Sequence, residues 1–409
     1  MNGRSATAGP AAGFRTRGHP AAVTAVAQAI ARQRPPHALL LVGSGGIGKT
    51  TLALDLAAGL LCLDDEPSAR PCRVCPGCRK VEHGNHPDLH RLAPEGAGEQ
   101  IRLAQVQRLS ADLSLLPMEG RWRVAIIEAA HRLNPDAQNA LLKTLEEPVG
   151  FACIILAADD PAALLPTVAS RAARLRMGPV PDVAVAALLV ERGLLDASRA
   201  SAVARASAGR PGMAIGLAGD PDSVLAAGRL ARSLLELTHA DRRRRLALVS
   251  DLLADAAVLD AAIRGATSEP SATEPTGSSQ ADGAATTDDA RTTQSRARRS
   301  APARAPGPRS GPGGRTAPAE RRRATIRVLL TWREVGRDLA VVCRGGAAQV
   351  RHMDLLEDLR AASAGIDEAP LLRFLARLDG LIAAIEAYAN PELTLDALVL
   401  AWPHADRPA

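Results

Sequence analysis

The stretch PHALLLVGSGGIGKTTLA, residues 36–53, decides how the rest of the chain is read. An apolar run ends at Val42. It is followed at once by Gly43, Ser44, Gly45, Gly46, Ile47, Gly48, Lys49, Thr50 and Thr51. The spacing G-x4-G-K-T, after a strand-like run and before the helical run TTLALDLAAGLL (50–61), is that of a phosphate-binding loop. Glycines let backbone N–H groups close around phosphate oxygens, and the helix that follows adds its dipole. Lys49 is expected on the β and γ oxygens of ATP, with the Thr50 hydroxyl on Mg²⁺. Lysine occurs elsewhere only at Lys80 and Lys143, in a chain that otherwise uses arginine. Its choice here points to a geometry that arginine does not supply.

Outward from the loop, HALLLV (37–42), DLHRLA (88–93), WRVAII (122–127), FACIILAA (151–158) and ARLRM (173–177) read as buried strands separated by helical segments. That alternation predicts an α/β fold, a parallel sheet with helices on both faces. The 409 residues suffice for two or three domains. Hydrophobic residues make up 46% and aromatics 2%, so the cores are built from Ala, Leu and Val. The expected division is a nucleotide-binding domain over 1–178, a three-helix lid over 179–220 broken near Gly193 and Gly209, and a helical domain over 221–409. Residues 266–324, rich in Ala, Pro, Gly, Ser and Thr, are expected to be a disordered linker within that last domain. All of its acidic residues but Glu320 precede its arginines, which suits a solvated spacer or a nonspecific tether for DNA.

The net charge of +6 permits an anionic partner without requiring one. The N-terminal MNGRSATAGPAAGF lacks the apolar core of a signal peptide, and no apolar run reaches membrane-spanning length. A cytoplasmic chain with no membrane partner is expected.

The run VAII ends in Glu128, Ala129, Ala130 and His131. Many phosphate-loop ATPases carry two successive acidic residues there, one for the Mg²⁺ shell and one for the attacking water. Glu128 has the chemistry of the first, though its extra methylene shifts the carboxylate. Ala129 cannot orient water, a loss of ~10²–10⁴-fold in rate. Binding with little turnover is the expectation.

Cys62, Cys72, Cys75 and Cys78 fall within seventeen residues, with two C-x2-C steps and turn-forming Pro71, Pro76 and Gly77 between them. Four thiolates suit a closed, structural, tetrahedral Zn²⁺ site. An iron–sulfur cluster, or a set in which His83 or His86 replaces one thiol, is the alternative. Cys153 and Cys343 read as small buried hydrophobes.

Taken together, residues 36–53, the cysteines followed by GNHPDL (84–89), QIRLAQVQRL (100–109), NALLKTLEEP (139–148) and LLPTVASRAARL (164–175) resemble bacterial clamp-loader subunits of the AAA+ class. The resemblance covers roughly 18–220. It is weaker beyond, where NPELTLDALVL (390–400) is similar to the end of an oligomerisation collar. It implies an AAA+ core with a zinc module over 62–78, a lid and an all-α collar. Within the family, Glu-Ala-Ala-His replaces the Asp-Glu-x-His of the tau/gamma motor type. Ala158 and Asp159 stand where the motor has sensor threonines, and Met213 where it has a sensor arginine. These departures favour the non-motor, delta-prime type, with a tau/gamma-like motor or another AAA+ DNA motor as the alternative. Ser170 and Arg171 match the pair that reaches a neighbour's nucleotide, with Ala172 in place of the usual Cys. The resemblance therefore implies that Arg171 acts in trans as an arginine finger. It also implies a heteropentamer with tau/gamma and delta subunits that loads a sliding clamp on primed DNA. The polymerase chemistry of DNA polymerase III would reside elsewhere in the assembly.

Overall fold

The structure, a computed structural model, describes residues 13–95, 100–267, 318–386 and 389–403. The first part alternates α1 (Pro20–Ala31), β1 (Ala38–Val42), α2 (Lys49–Leu60), α3 (Pro76–Glu82), β2 (Leu89–Leu92), α4 (Leu103–Leu113), β3 (Arg123–Ile127), α5 (Pro135–Glu146), β4 (Ala152–Ala158), α6 (Pro166–Ala169) and β5 (Ala173–Arg176). The five strands form one sheet in the order β2-β3-β4-β1-β5, every neighbouring pair parallel.

Strand residues alternate between two cores, as a period of two requires. Leu39, Leu41, Val124, Ile126, Cys153 and Ile155 pack with Leu52 and Leu56 of α2 and Val26 and Ile30 of α1. Leu40, Ala125, Ile127, Ile154 and Leu156 pack with Val106 and Leu109 of α4 and Leu141 and Leu145 of α5. Strands covered on both faces have no polar side to show, which is why these runs read as continuously apolar. β2 and β5 differ from their reading as buried strands: in β2, at one edge, only Leu89 is buried and Arg91 is exposed, and β5 is more open still. Ala173, Arg174 and Arg176 are exposed and Leu175 is half-buried. It is an edge strand bonded only to β1, and its arginines blunt that edge.

Three short helices follow, α7 (Asp182–Glu191), α8 (Ala197–Ala206) and α9 (Pro211–Gly219), with Gly193 and Gly209 at positive φ in the two turns. Among the described residues six more follow: α10 (Pro221–Glu236), α11 (Arg242–Thr267), α12 (Pro318–Cys343), α13 (Leu356–Ser363), α14 (Glu368–Glu386) and α15 (Pro391–Ala401). One hydrophobic cluster runs from Val180 and Val185 through Leu230, Trp332 and Leu359 to Trp402, so the short helices share their core with the C-terminal ones. Trp332 is fully buried and its indole N–H donates to Leu230 O (3.3 Å) and Ser233 Oγ (3.2 Å). Arg245, also fully buried, donates to the carbonyls of Leu237 (2.6 Å), Ala240 (3.0 Å), Val399 (3.1 Å) and Trp402 (2.7 Å). One guanidinium thus ties the end of α10 to the end of α15.

Of the linker expected over 266–324, residues 268–317 lie outside the described residues. Its two ends are helical: 266–267 close α11 and 318–324 open α12. Alanine and arginine are good helix formers, and Ala324, 2% exposed, already belongs to the core. Among the described residues no helix is long and apolar enough to cross a membrane.

Candidate functional site

The loop from Gly43 to Gly48 joins β1 to α2, as a phosphate cradle requires. Gly46 (φ 78°) and Gly48 (φ 106°) adopt left-handed conformations that a side chain would strain, and Lys49 opens α2. Two outside segments brace the loop. His19 Nε2 lies 2.9 Å from Ile47 O, and the Gly212 N–H at the start of α9 donates to Gly46 O (2.8 Å). Ser44, Gly45 and Gly46 face a cleft of about 640 Å³. Its other walls come from His131, from Asp159 and Asp160 after β4, from Arg210 and Met213 at the start of α9, and from α11 and α12.

Lys49 is 7% exposed and its ammonium is fully engaged. It donates to Gly43 O (2.7 Å) and Ser44 O (2.9 Å) and pairs with Asp159 Oδ1 at 2.6 Å. Thr50 and Thr51 lie half-buried on the first turn of α2. Glu128 is placed differently from its neighbours in the expected set. Its carboxylate is gripped by Arg91 of β2, Nε at 2.9 Å and Nη2 at 2.8 Å. The carboxylate at Lys49 is Asp159, a residue the sequence singled out only as a departure from the motor pattern. Ala129 sits at φ 52°, and His131 Nδ1 accepts the N–H of Asp159 (3.2 Å). Burial holds the His131 imidazole below its ordinary pKa, which favours the neutral acceptor form. Arg210, just before α9, stands in the cleft wall. It is buried, donates to Ser207 O and pairs with Glu334 of α12 at 2.9 Å; burial lowers its pKa. Met213 lines the same wall at 5% exposure.

Ser170 and Arg171 lie between α6 and β5 and do not line this cleft. Ser170 Oγ donates to Thr167 O (3.2 Å). Arg171 donates to the same carbonyl (2.9 Å) and pairs with Glu146 Oε1 at 2.7 Å.

Cys62, Cys72, Cys75 and Cys78 converge so that their sulfurs all lie within 4.8 Å of one another, with Cys62 Sγ and Cys75 Sγ 3.9 Å apart. A tetrahedral Zn²⁺ with Zn–S bonds of ~2.3 Å places sulfurs ~3.8 Å apart, so the set fits that ion. Backbone N–H groups point at the sulfurs: Leu63 N and Cys78 N at Cys75 (3.5 and 3.4 Å), Cys72 N at Cys62 (3.5 Å). Such donors stabilise thiolates. Cys62 is drawn down to about 5, chiefly by the hydrogen bond from Cys78, whose own thiol is pushed up by that bond and by burial. Bound there, Zn²⁺ would supply a structural tether rather than a reaction. Arg73, between the ligands, donates to Gly13 O (2.7 Å) and pairs with Asp55 of α2, which is 1% exposed and also accepts from Thr16 N (2.9 Å) and Thr16 Oγ (2.6 Å).

His86 is used elsewhere. Its Nδ1 accepts from Asp88 N (3.1 Å), and Asp88 accepts from Met118, Glu119 and Gly120 N–H groups. Cys153 is fully buried and pushed up to about 12 by that burial, whereas Cys343, expected to be buried, is half-buried.

Residues 18–181 match the family model described as DNA polymerase III, delta subunit. DNA polymerase III subunit delta' of Bacillus subtilis is 38% identical over 163 residues, covering 40% of this chain and 48% of that one. The Pseudomonas aeruginosa subunit delta' is 39% identical over 165 residues, 40% of this chain and 50% of its own. The Escherichia coli subunit tau is 38% identical over 149 residues, 36% of this chain and 23% of its own. The chain thus spans about half the length of the delta' relatives, and less of tau. The matched part is the sheet domain with its phosphate loop and cysteine cluster, and over residues 18–181 the chain carries the domain of the DNA polymerase III delta-subunit family.

Proposed function

We propose that this chain is a non-motor, delta-prime-type subunit of an AAA+ sliding-clamp loader. It holds nucleotide at residues 43–51 without cleaving it efficiently and lends Arg171 to the active site of a neighbouring tau/gamma subunit. The observation that carries the reading is at the end of β3. Glu128 is committed to Arg91, and the next residue, Ala129, has no group to orient water. Position supports the other half: Arg171 stands outside its own cleft. In this reading delta and tau/gamma subunits complete a heteropentamer, the clamp and primed DNA are engaged through the assembly, and the four cysteines hold Zn²⁺.

Reconstitution tests it. The isolated chain should show negligible ATP hydrolysis, and the assembly should lose turnover by ~10³-fold or more with Arg171→Ala, as removal of an arginine finger does. Equal turnover in both assemblies would remove the trans role.

The similarity to tau favours a second reading, a motor subunit. Hydrolysis by the isolated chain at several per second, abolished by Lys49→Ala, would establish it.

A further inference from the structure

An ammonium group has three hydrogens to donate. At Lys49 their acceptors are the carbonyls of Gly43 and Ser44 and the carboxylate of Asp159. The last bond is charge-assisted and short, 2.6 Å. Lys49 is 7% exposed and Asp159 45%, so the carboxylate stands on the solvent side of the ammonium, at the mouth of the cradle. It is anchored there. β4 lies beside β1, and Gly43 N donates to Ala158 O (3.3 Å), which places the next residue over the loop. The backbone of Asp159 is held by His131, and its second oxygen lies 2.9 Å from where a Cβ on Gly45 would stand. Asp160 follows in the same wall.

We propose that Asp159 makes this loop selective for a nucleoside diphosphate over the triphosphate. The inference rests on the nucleotide-binding reading above and narrows its ligand. Backbone amides of a phosphate loop enclose the α and β phosphates, and the terminal phosphate extends past them toward the lysine and the strand ends. The β phosphate of a diphosphate can meet Lys49 in place of the Gly43 and Ser44 carbonyls and leave the bond to Asp159 standing. A triphosphate drives its last phosphate against that carboxylate and must break the pair, exchanging an attraction for a like-charge repulsion at contact distance. Three of the arginines in the cleft wall are already paired with other carboxylates. Arg210 is held by Glu334, and Arg323 and Arg327 by Asp260 at 3.4 and 3.3 Å.

The test is calorimetric titration of the full chain with ADP and with ATP, with Mg²⁺ and with chelator, for wild type and Asp159→Asn. Thermal denaturation checks that the variant folds. Wild type should bind ADP about tenfold or more tighter than ATP, and Asp159→Asn, which keeps the shape and removes the charge, should tighten ATP about tenfold with little change for ADP. Equal wild-type affinities, or an ATP/ADP ratio unmoved by the substitution, overturn the selectivity and leave nucleotide binding standing. A Mg²⁺-dependent preference for ATP that the variant loses makes Asp159 a metal ligand and overturns it too. If neither nucleotide binds either protein, both this inference and the reading it rests on fall.

Discussion

Arg171 and Glu146 form an ion pair at 2.7 Å that joins the end of α5 to the turn before β5. The guanidinium proposed to serve a neighbour is therefore parked within its own chain, held by a carboxylate and by Thr167 O.

That parking should be weak. The two side chains are 36% and 49% exposed, and pairs so open to solvent contribute about 0–1 kcal/mol. Arg171→Ala and Glu146→Gln should each unfold in urea within ~1 kcal/mol of wild type. A larger loss for Arg171→Ala would mark it as a structural residue, and any loss of assembly turnover would then lose its meaning.

Metal analysis of the purified chain should find one zinc, and Cys75→Ser or Cys78→Ser should abolish it. Chelation should do more than empty the module. Arg73 carries the cysteine turn onto Asp55 of the phosphate-loop helix, so α2 and residues 13–16 should lose hydrogen-exchange protection as well. Protection loss confined to 62–82 would mean that the cysteine cluster is uncoupled from the sheet domain.

Asp88 has an acid signature. Burial alone would raise its pKa, but N–H groups of Met118, Glu119 and Gly120 outweigh that and hold it below the ordinary carboxylate value. A depressed folded pKa contributes stability that is full above the unfolded value, ~3.9, and is lost as pH falls through the lower folded one. Unfolding free energy measured from pH 5 to 2 should therefore fall more steeply for wild type than for Asp88→Ala. That variant, which orphans the three donors, should be destabilised by ~2–4 kcal/mol at pH 7. Parallel pH profiles would assign the acid transition to other carboxylates.

Arg245→Ala should be the most damaging single change in the C-terminal helices. It leaves the buried carbonyls of Leu237, Ala240, Val399 and Trp402 without this donor, a cost of ~3 kcal/mol or more by denaturant titration. Arg245→Lys should rescue only part of it, because an ammonium cannot reproduce the planar fork. Full rescue by lysine would show that charge, not the fork, matters.

The sequence by itself determined what depends on contiguous residues. The phosphate loop, the apolar runs that became β1, β3 and β4 and the cysteine cluster all announce themselves through local spacing, because strand burial, tight turns and ligand pairing are short-range demands. Only the tertiary structure decided the partners. Strand order puts β4 beside β1, so Asp159 reaches Lys49, and β3 beside β2, so Glu128 is taken by Arg91. The same order leaves β5 as an exposed, arginine-bearing edge, and the packing of α12 makes helix of residues whose composition reads as linker. Charge pairing and burial are decided between segments far apart in the chain, and no periodicity within one segment encodes which carboxylate a given lysine or arginine will meet.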